Sequence, residues 1–366
     1  MRLVSPKDEL AHALAAAGRA ASAKSTIQIL SHVLLVAEEG RCELAATDME
    51  LSLRMPLQAT VEQPGAVVLP RLAGDIVRSM ADGPVTLEHR ANEGVVNVSG
   101  GGSSFALNCL QANDFPELPP DEGSGLSLPA DVLVESIDRV ARAASRDETR
   151  PVLTGVFTRL GPDGLTLVAT DSYRLAVRQA SLESPPAETR EAIVPARALS
   201  EIARMAPQAA VDAIELVLSD TQALARVGDA RLTSRLIDGQ FPDHRQLIPD
   251  AFEHEVAFDR AELIGVLSRI GVLAQRNTPV RLAFEDGSVT ISAISDQVGE
   301  GHESLPVAFS GEKLEIGFNV EFLRAGVESV SGDEVRLGLI SPLRPGLLRG
   351  AGDDFRYLLM PIRLNA

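Results

Sequence analysis

Tryptophan is absent from this chain of 366 residues, tyrosine and cysteine occur twice each, and lysine is confined to Lys7, Lys24 and Lys313. Two cysteines supply no disulfide framework, so the fold must rest on aliphatic cores. Cys42 and Cys109 alternate with apolar neighbours in strand-like runs, the pattern of buried, reduced thiols. Long apolar runs are missing too, and the opening MRLVSPKDEL lacks a signal-peptide core. The expectation is a cytoplasmic protein without a membrane partner. Positive charge is also short: 34 Lys and Arg face 51 Asp and Glu, a net charge of −17. That balance argues against a protein that grips nucleic acid through a broadly basic surface.

Patterns that carry catalysis are missing as well. His12, His32, His89, His244, His254 and His302 have no metal-ligand spacing, so no metal is expected. Gly100-Gly101-Gly102 lies between strand-like runs and lacks the Lys-Ser/Thr and following helix of a phosphate loop. No Gly-x-Ser-x-Gly elbow occurs. Asp48 and Asp171 occupy equivalent places in separate repeats, which suits turn formation better than paired acid–base work. No catalytic residue and no cofactor are expected.

What the chain does have is a threefold internal repeat. Thr47-Asp48 in CELAATDMELSLR returns as Thr170-Asp171 in LTLVATDSYRLAV, an offset of 123 residues (170 − 47). Phe115-Pro116 returns as Phe241-Pro242, an offset of 126 (241 − 115). A diverged third copy follows. Such a period is one small domain, too long for a solenoid unit. Each copy opens with a helical stretch in which Leu10, Leu133 and Leu263 correspond. Strand-like runs follow, with turns predicted at Glu39-Gly40, Asp163-Gly164 and Asp286-Gly287, then a second helix and further strands. Pro-, Gly- and acid-rich linkers near 119–127 and 249–256 divide the chain into domains 1–122, 123–251 and 252–366. The fold class is α+β, three tandem domains of two helices on antiparallel sheet.

The positive charges are segregated onto helices. Arg71 and Arg78 stand seven apart on the second helix of copy one, and Arg197 and Arg204 repeat that spacing in copy two. The first helices add Arg19 and Lys24, then Arg139, Arg142 and Arg146, then Arg269 and Arg276. Acidic residues crowd the loops.

Four motifs, in this order and at these separations, resemble the bacterial DNA polymerase III beta subunit, the sliding clamp family, from end to end. They are Ala-Thr-Asp-Ser-Tyr-Arg-Leu-Ala (169–176), Phe-Pro-Asp (241–243), Ile-Gly-Phe-Asn (316–319) and Leu-Leu-Met-Pro-Ile-Arg-Leu (358–364). The resemblance implies three DNA-clamp domains per subunit and a head-to-tail homodimer closing into a ring, helices inside and sheets outside. It implies a non-catalytic processivity factor of the polymerase III holoenzyme that encircles double-stranded DNA without reading sequence. A topological tether needs only weak phosphate contact, which reconciles basic helices with an acidic whole. Matched positions make Lys24, Arg71, Arg78, Arg197 and Arg204 the DNA-facing residues.

The resemblance further implies a pocket that captures peptides of the polymerase III alpha subunit, the clamp loader and other proteins with a clamp-binding motif. Matched residues are Arg150, Leu153, Thr170, Tyr173, Arg174, Leu175, Pro242, Leu247, Asn319, Phe322, Leu358, Met360, Pro361, Ile362, Arg363 and Leu364. Some relatives have Gly-His in place of Ser172-Tyr173. The dimer interface would bring Phe105 and Leu107 of one copy to Val272 and Leu273 of the other. The competing reading is a clamp paralogue acting mainly as a drug- or peptide-binding resistance protein.

Overall fold

One order of elements occurs three times in the computed structural model, which describes residues 1–22, 25–274, 278–295, 298–352 and 354–364. Lys24 and Arg276 lie outside the described residues. Copy one runs through strand Arg2–Pro6, helix α1 (Lys7–Ala20), strands His32–Glu38, Arg41–Thr47 and Leu51–Pro56, and then Gly65–Pro70. Helix α2 (Ala73–Ser79) and strands Pro84–Arg90, Val95–Gly100 and Ser103–Asn108 complete it, with a short extra strand at Thr60–Gln63. Copy two has strand Leu126–Pro129, α3 (Ala130–Val140) and a one-turn α4 (Pro151–Thr154), which stands where copy one has the 3-10 turn Gln28–Ser31. Strands Gly155–Gly161, Gly164–Thr170, Arg174–Ala180 and Arg190–Pro195 follow, then α5 (Ala196–Ala209), Ala213–Leu218, Gln222–Val227 and Ala230–Arg235. Copy three has His254–Asp259, α6 (Arg260–Gly271), Val280–Glu285, Ser288–Ser295, Gly299–Pro306 and Leu314–Phe318. It ends with α7 (Val320–Ser329), Glu334–Leu339, Gly346–Arg349 and Phe355–Leu359. The α+β class and the repeated pair of main helices are as the sequence implies.

Counting the eight shared strands of a copy in order, strands one, six, seven and eight form one sheet and strands five, two, three and four another. These sheets do not stop at the ends of the copies. The eighth strand of copy two pairs antiparallel with the fourth strand of copy one, Leu232 opposite Leu53. In the same way the eighth strand of copy three pairs with the fourth of copy two, Leu358 opposite Leu175. Each junction is therefore an eight-stranded antiparallel sheet. Packing accordingly gathers the chain into two compact units, residues 1–130 with 204–236 and residues 131–203 with 237–366. After its eighth strand every copy crosses to its own fifth strand. The contacts are a bridge of Leu110 to Val68, the Ile237 amide donating to the Ile193 carbonyl (2.9 Å), and a bridge of Ile362 to Gly317.

Local chemistry explains the elements. Leu10, Ala13, Leu14 and Ala17 are buried at helical spacing on α1, and its alanines favour the helix while letting α2 approach. A Cβ on Gly74 would already stand 3.4 Å from Leu14 Cβ. Helices α6 and α7 begin at Asp259 and Asn319, whose side chains accept from the Glu262 amide (2.8 Å) and the Phe322 amide (3.0 Å). The hairpin loops at Glu39-Gly40 and Asp286-Gly287 fall where expected. In copy two the loop is Pro162-Asp163, and Gly164 is the first residue of the next strand. Gly164 keeps a φ of 101°, and a Cβ there would collide with the Ala180 carbonyl.

Aliphatic residues dominate both cores, with Tyr357, Phe355, Phe318 and Phe284 fully buried in the second unit. Burial pushes the Tyr357 phenol up to about 12, and its hydroxyl donates to the Phe322 carbonyl (2.9 Å). Cys42 is buried and its thiol is pushed up to about 11, which suppresses thiolate chemistry. Cys109 is only half-buried, because it follows the last strand of its sheet.

Candidate functional site

The repeated Thr-Asp pair builds the same turn twice. In copy one, Thr47 Oγ1 donates to the Leu51 carbonyl (3.0 Å) and accepts from the Met49 amide (3.0 Å). Asp48 Oδ1 accepts from the Glu50 and Leu51 amides (3.1 and 2.8 Å). In copy two, Thr170 Oγ1 donates to the Arg174 carbonyl (2.6 Å) and accepts from the Ser172 amide (3.1 Å). Asp171 Oδ1 accepts from the Tyr173 and Arg174 amides (2.9 and 3.0 Å). These carboxylates form turns, as the sequence suggested. Each turn forces one non-glycine residue left-handed, Met49 at φ 77° and Ser172 at φ 79°. That conformation costs about 1 kcal/mol per residue.

Copy two adds Arg174. Its Nε donates to Asp171 Oδ2 (2.9 Å), both side chains being mostly buried. The guanidinium carbon lies 4.3 Å from the centre of the Phe322 ring, and Nη1 donates to the Tyr357 hydroxyl (3.3 Å). Around this fixed arginine opens a cavity of about 540 Å³. Thr170, Ser172, Arg174 and Leu175 form one side, with Leu358 and Met360 from the paired strand and its exit. Gln246, Leu247 and Pro249 come from the linker, and Leu343, Arg344 and Pro345 from the loop after Glu334–Leu339. Leu175 and Leu358 are buried floor, while Leu247 (52% exposed), Leu343 (64%) and Met360 (43%) offer apolar surface to solvent. An exposed apolar concavity with polar groups on its rim suits a short peptide.

Six expected pocket residues thus line one cavity: Thr170, Arg174, Leu175, Leu247, Leu358 and Met360. Arg150 reaches its rim, Nη1 donating to Ser172 Oγ (3.0 Å) and Nε to Asp147 Oδ2 (3.0 Å). The Thr149 hydroxyl, the Thr149 amide and Arg150 hold the Asp147 carboxyl below its ordinary value. Tyr173 is exposed, and its carbonyl accepts from the Met360 amide (2.8 Å). Phe322 lies beneath Arg174. The others are outside the lining. Leu153 is buried in α4, Asn319 caps α7, and Pro242 is exposed on the linker. Pro361, Ile362, Arg363 and Leu364 run past the fifth strand, where the Ile362 amide donates to the Gly317 carbonyl (2.7 Å). The sequence reading named Ser172 only as a place where some relatives differ, and did not include Gln246, Pro249 or the segment Leu343-Arg344-Pro345. The usable signal was a proline-bounded loop, SPLRPG, holding an apolar residue.

The cationic helix faces are thinner than the sequence suggested. Arg71 lies in the turn before α2, not on it, with its Cγ against Gly18 of α1. Arg78 is on α2 and 3.5 Å from Asp75. Arg197 and Arg204 are exposed on α5, with Glu201 at the intervening position of the same face. Arg139 is buried and paired with Glu135 (2.6 Å), Arg142 reaches Glu328 (3.3 Å), and Arg269 makes two bonds to Glu303 (2.8 and 2.7 Å). Among the described residues no cluster of His, Cys, Asp and Glu could hold a metal, and no helix is long and apolar enough to cross a membrane.

Phe105 is exposed and Leu107 half-buried on Ser103–Asn108, a strand that pairs, among the described residues, only with Val95–Gly100. Val272 is 79% exposed after α6. Leu273 packs over Gly301, in the strand Gly299–Pro306 that ends its own sheet.

A thrice-repeated α+β unit whose sheets continue from copy to copy defines a clamp-type architecture. The N-terminal, central and C-terminal domain families of the DNA polymerase III beta subunit match residues 1–119, 127–243 and 245–363. Curated relatives include the beta sliding clamps of Synechococcus elongatus (37% identical) and Streptomyces coelicolor (33%), each matched over 100% of both chains. A solved sliding clamp from Bacillus subtilis superposes with a TM-score of 0.87 at 29% identity, covering 100% of both chains. One from Bartonella birtlesii, solved bound to griselimycin, gives 0.88 at 30% identity and the same coverage. The chain belongs to the bacterial DNA polymerase III beta subunit family, the beta sliding clamps.

Proposed function

We propose that this clamp works without chemistry of its own, as a homodimeric processivity ring of a polymerase III holoenzyme in the cytoplasm. The supporting observation is the strand arithmetic of the repeat. Both internal junctions pair an eighth strand with the fourth strand of the preceding copy. The eighth strand of copy one, Ser103–Asn108, and the fourth of copy three, Gly299–Pro306, each have one neighbour only among the described residues. A second chain satisfies both edges by the same pairing, twice, and closes six domains into a ring. Domain limits at 1–122, 123–251 and 252–366 give each copy its full set of strands.

Within this reading, Phe105 and Leu107 meet Val272 and Leu273 of the second copy beside the paired edges. Arg71, Arg78, Arg197 and Arg204 face duplex DNA, together with Lys24. Their intramolecular acidic neighbours keep the contact weak enough for sliding. The cavity around Arg174 receives peptides of the polymerase alpha subunit, the clamp loader and other partners, and the griselimycin-bound relative is consistent with a ligand-accepting surface.

Val272→Asp with Leu273→Asp should convert dimers to monomers in sedimentation velocity and abolish retention on nicked circular DNA. A dimer surviving both substitutions would remove this interface. The resistance-paralogue reading, for which the 30% identical homolog GriR of Streptomyces muensis is a comparison, predicts no stimulation of long synthesis by a replicative polymerase. The ring reading requires that stimulation.

A further inference from the structure

A second cavity, of about 570 Å³, lies against the linker and takes His244, Arg245, Ile248 and Asp250 from it, where the cavity around Arg174 takes Gln246, Leu247 and Pro249. That volume is in the range of small-ligand sites. Its apolar side is fixed by the core. Val177 belongs to the buried cluster with Leu175 and Leu358, and Phe157 and Ile248 pack on that cluster. The His244 ring stands 6.3 Å from that of Phe157, tilted by 48°. Burial and the neighbouring Arg245 push the imidazole below its ordinary value, against the pull of Asp243, so the ring is neutral at pH 7. Two neutral rings beside an aliphatic base make a face suited to a third ring.

Charge in this cavity is balanced and mostly unused. Arg159 is neutralised by Asp163 (3.3 Å) and Glu191 (3.4 Å). Arg245, Arg356, Asp250 and Asp354 also line the cavity, and among the described residues none of these four side chains makes an ion pair or hydrogen bond. Arginines elsewhere are engaged: Arg174, Arg226, Arg231, Arg269 and Arg336 each hold a carboxylate. Two open cations and two open anions around one apolar face disfavour a polyanion such as a nucleotide, which the carboxylates repel, and a polycation for the mirror reason. A ligand with one charge of each sign finds a partner for both.

We propose that this cavity binds a zwitterionic α-amino acid with an aromatic side chain, its carboxylate taken by Arg245 and Arg356, its ammonium by Asp250 and Asp354, and its ring by the face that Phe157 and His244 form. The inference stands apart from the peptide-docking reading, because the two cavities have no lining residue in common. All four charged residues are exposed, so screening limits what each end of the ligand adds to about threefold to tenfold in affinity.

The chain contains no tryptophan, so L-tryptophan serves as both probe and reporter. Its fluorescence anisotropy would be titrated with the intact protein, beside N-acetyl-L-tryptophan, which lacks the cation, and L-tryptophan methyl ester, which lacks the anion. The expected result is saturable binding of L-tryptophan, at least about threefold tighter than of either derivative. Arg245→Gln with Arg356→Gln should bring L-tryptophan down to the affinity of the ester without weakening the ester. Asp250→Asn with Asp354→Asn should bring it down to that of the N-acetyl form without weakening that form. Because the substituted side chains are exposed, both double variants should melt with the parent. A general disturbance of the fold would instead weaken all three ligands alike. Absence of saturable L-tryptophan binding, equal affinity for the three ligands in the parent, or L-tryptophan affinity unaffected by either double substitution overturns the inference.

Discussion

The two junctions between copies share one architecture and differ in what they expose. In the first, Leu51–Pro56 meets Ala230–Arg235; in the second, Arg174–Ala180 meets Phe355–Leu359. The turns that precede them are superimposable in their hydrogen bonds, down to the left-handed third residue. At matching places the first junction has Leu51, Ser52 and Thr233 where the second has Arg174, Leu175 and Leu358. The linkers diverge in the same sense. Asp121 of the first bonds Arg226 (2.6 Å) and Arg231 (2.7 Å), whereas the matching Leu247 is free to face solvent. One copy of the junction has been fastened by ion pairs, and the other opened into an apolar pocket around a single buried cation. Duplication supplied two frames, and a handful of side chains opened the second into a cavity with exposed apolar walls.

The largest test of this contrast is Arg174→Ala. It strips Asp171 of its mostly buried partner, leaves Tyr357 a hydrogen bond short, and uncovers Phe322. Breaking such a pair costs about 3–5 kcal/mol, read as a lowered denaturant midpoint. A loss under about 1 kcal/mol would mean the cation is not the pillar of this junction. Next, Leu247→Ala with Met360→Ala should weaken docking peptides roughly tenfold to a hundredfold, since each side chain has only about half its surface left to bury and the pair together contributes about 1.5–3 kcal/mol on binding. Both residues are exposed, so the melting temperature should barely move. Unchanged affinity would place the peptide elsewhere.

The smallest expected effect is at the other junction. Burial alone would raise the Asp121 carboxyl, but Arg231 and Arg226 outweigh it and hold the group below its ordinary value. Asp121→Asn should lose roughly 0.5–1 kcal/mol, discounted because the pair is partly solvent-screened. A depressed folded value stabilises above the unfolded carboxylate range and fades as pH falls through it. The difference between parent and variant should therefore be present at pH 7 and shrink below about pH 4. It should also narrow in high salt, and peptide affinity should stay the same. An effect on peptide binding would break the separation between the two junctions.

Much of this was legible locally. The repeat, the hairpins at Glu39-Gly40 and Asp286-Gly287, and the turn role of Asp48 and Asp171 all follow from contacts within a few residues. Other features depended on distant partners. Arg139, an ordinary helix-face cation by spacing, is buried against Glu135 because the fold covers that side of α3. Arg71 falls short of α2 because the helix begins only at Ala73. Leu343, Arg344 and Pro345 join the pocket through a loop that no motif marked.

By itself the sequence determined three α+β copies, their order, and the chemistry of their turns, because helical period, strand alternation and hydrogen-bonding side chains act over short stretches of chain. Only the tertiary structure decided that the sheets continue from one copy into the next, and that a linker, a distant loop and the chain's closing strand converge around Arg174. Strand partners more than a hundred residues apart are selected by register and packing, and those are properties of the assembled fold.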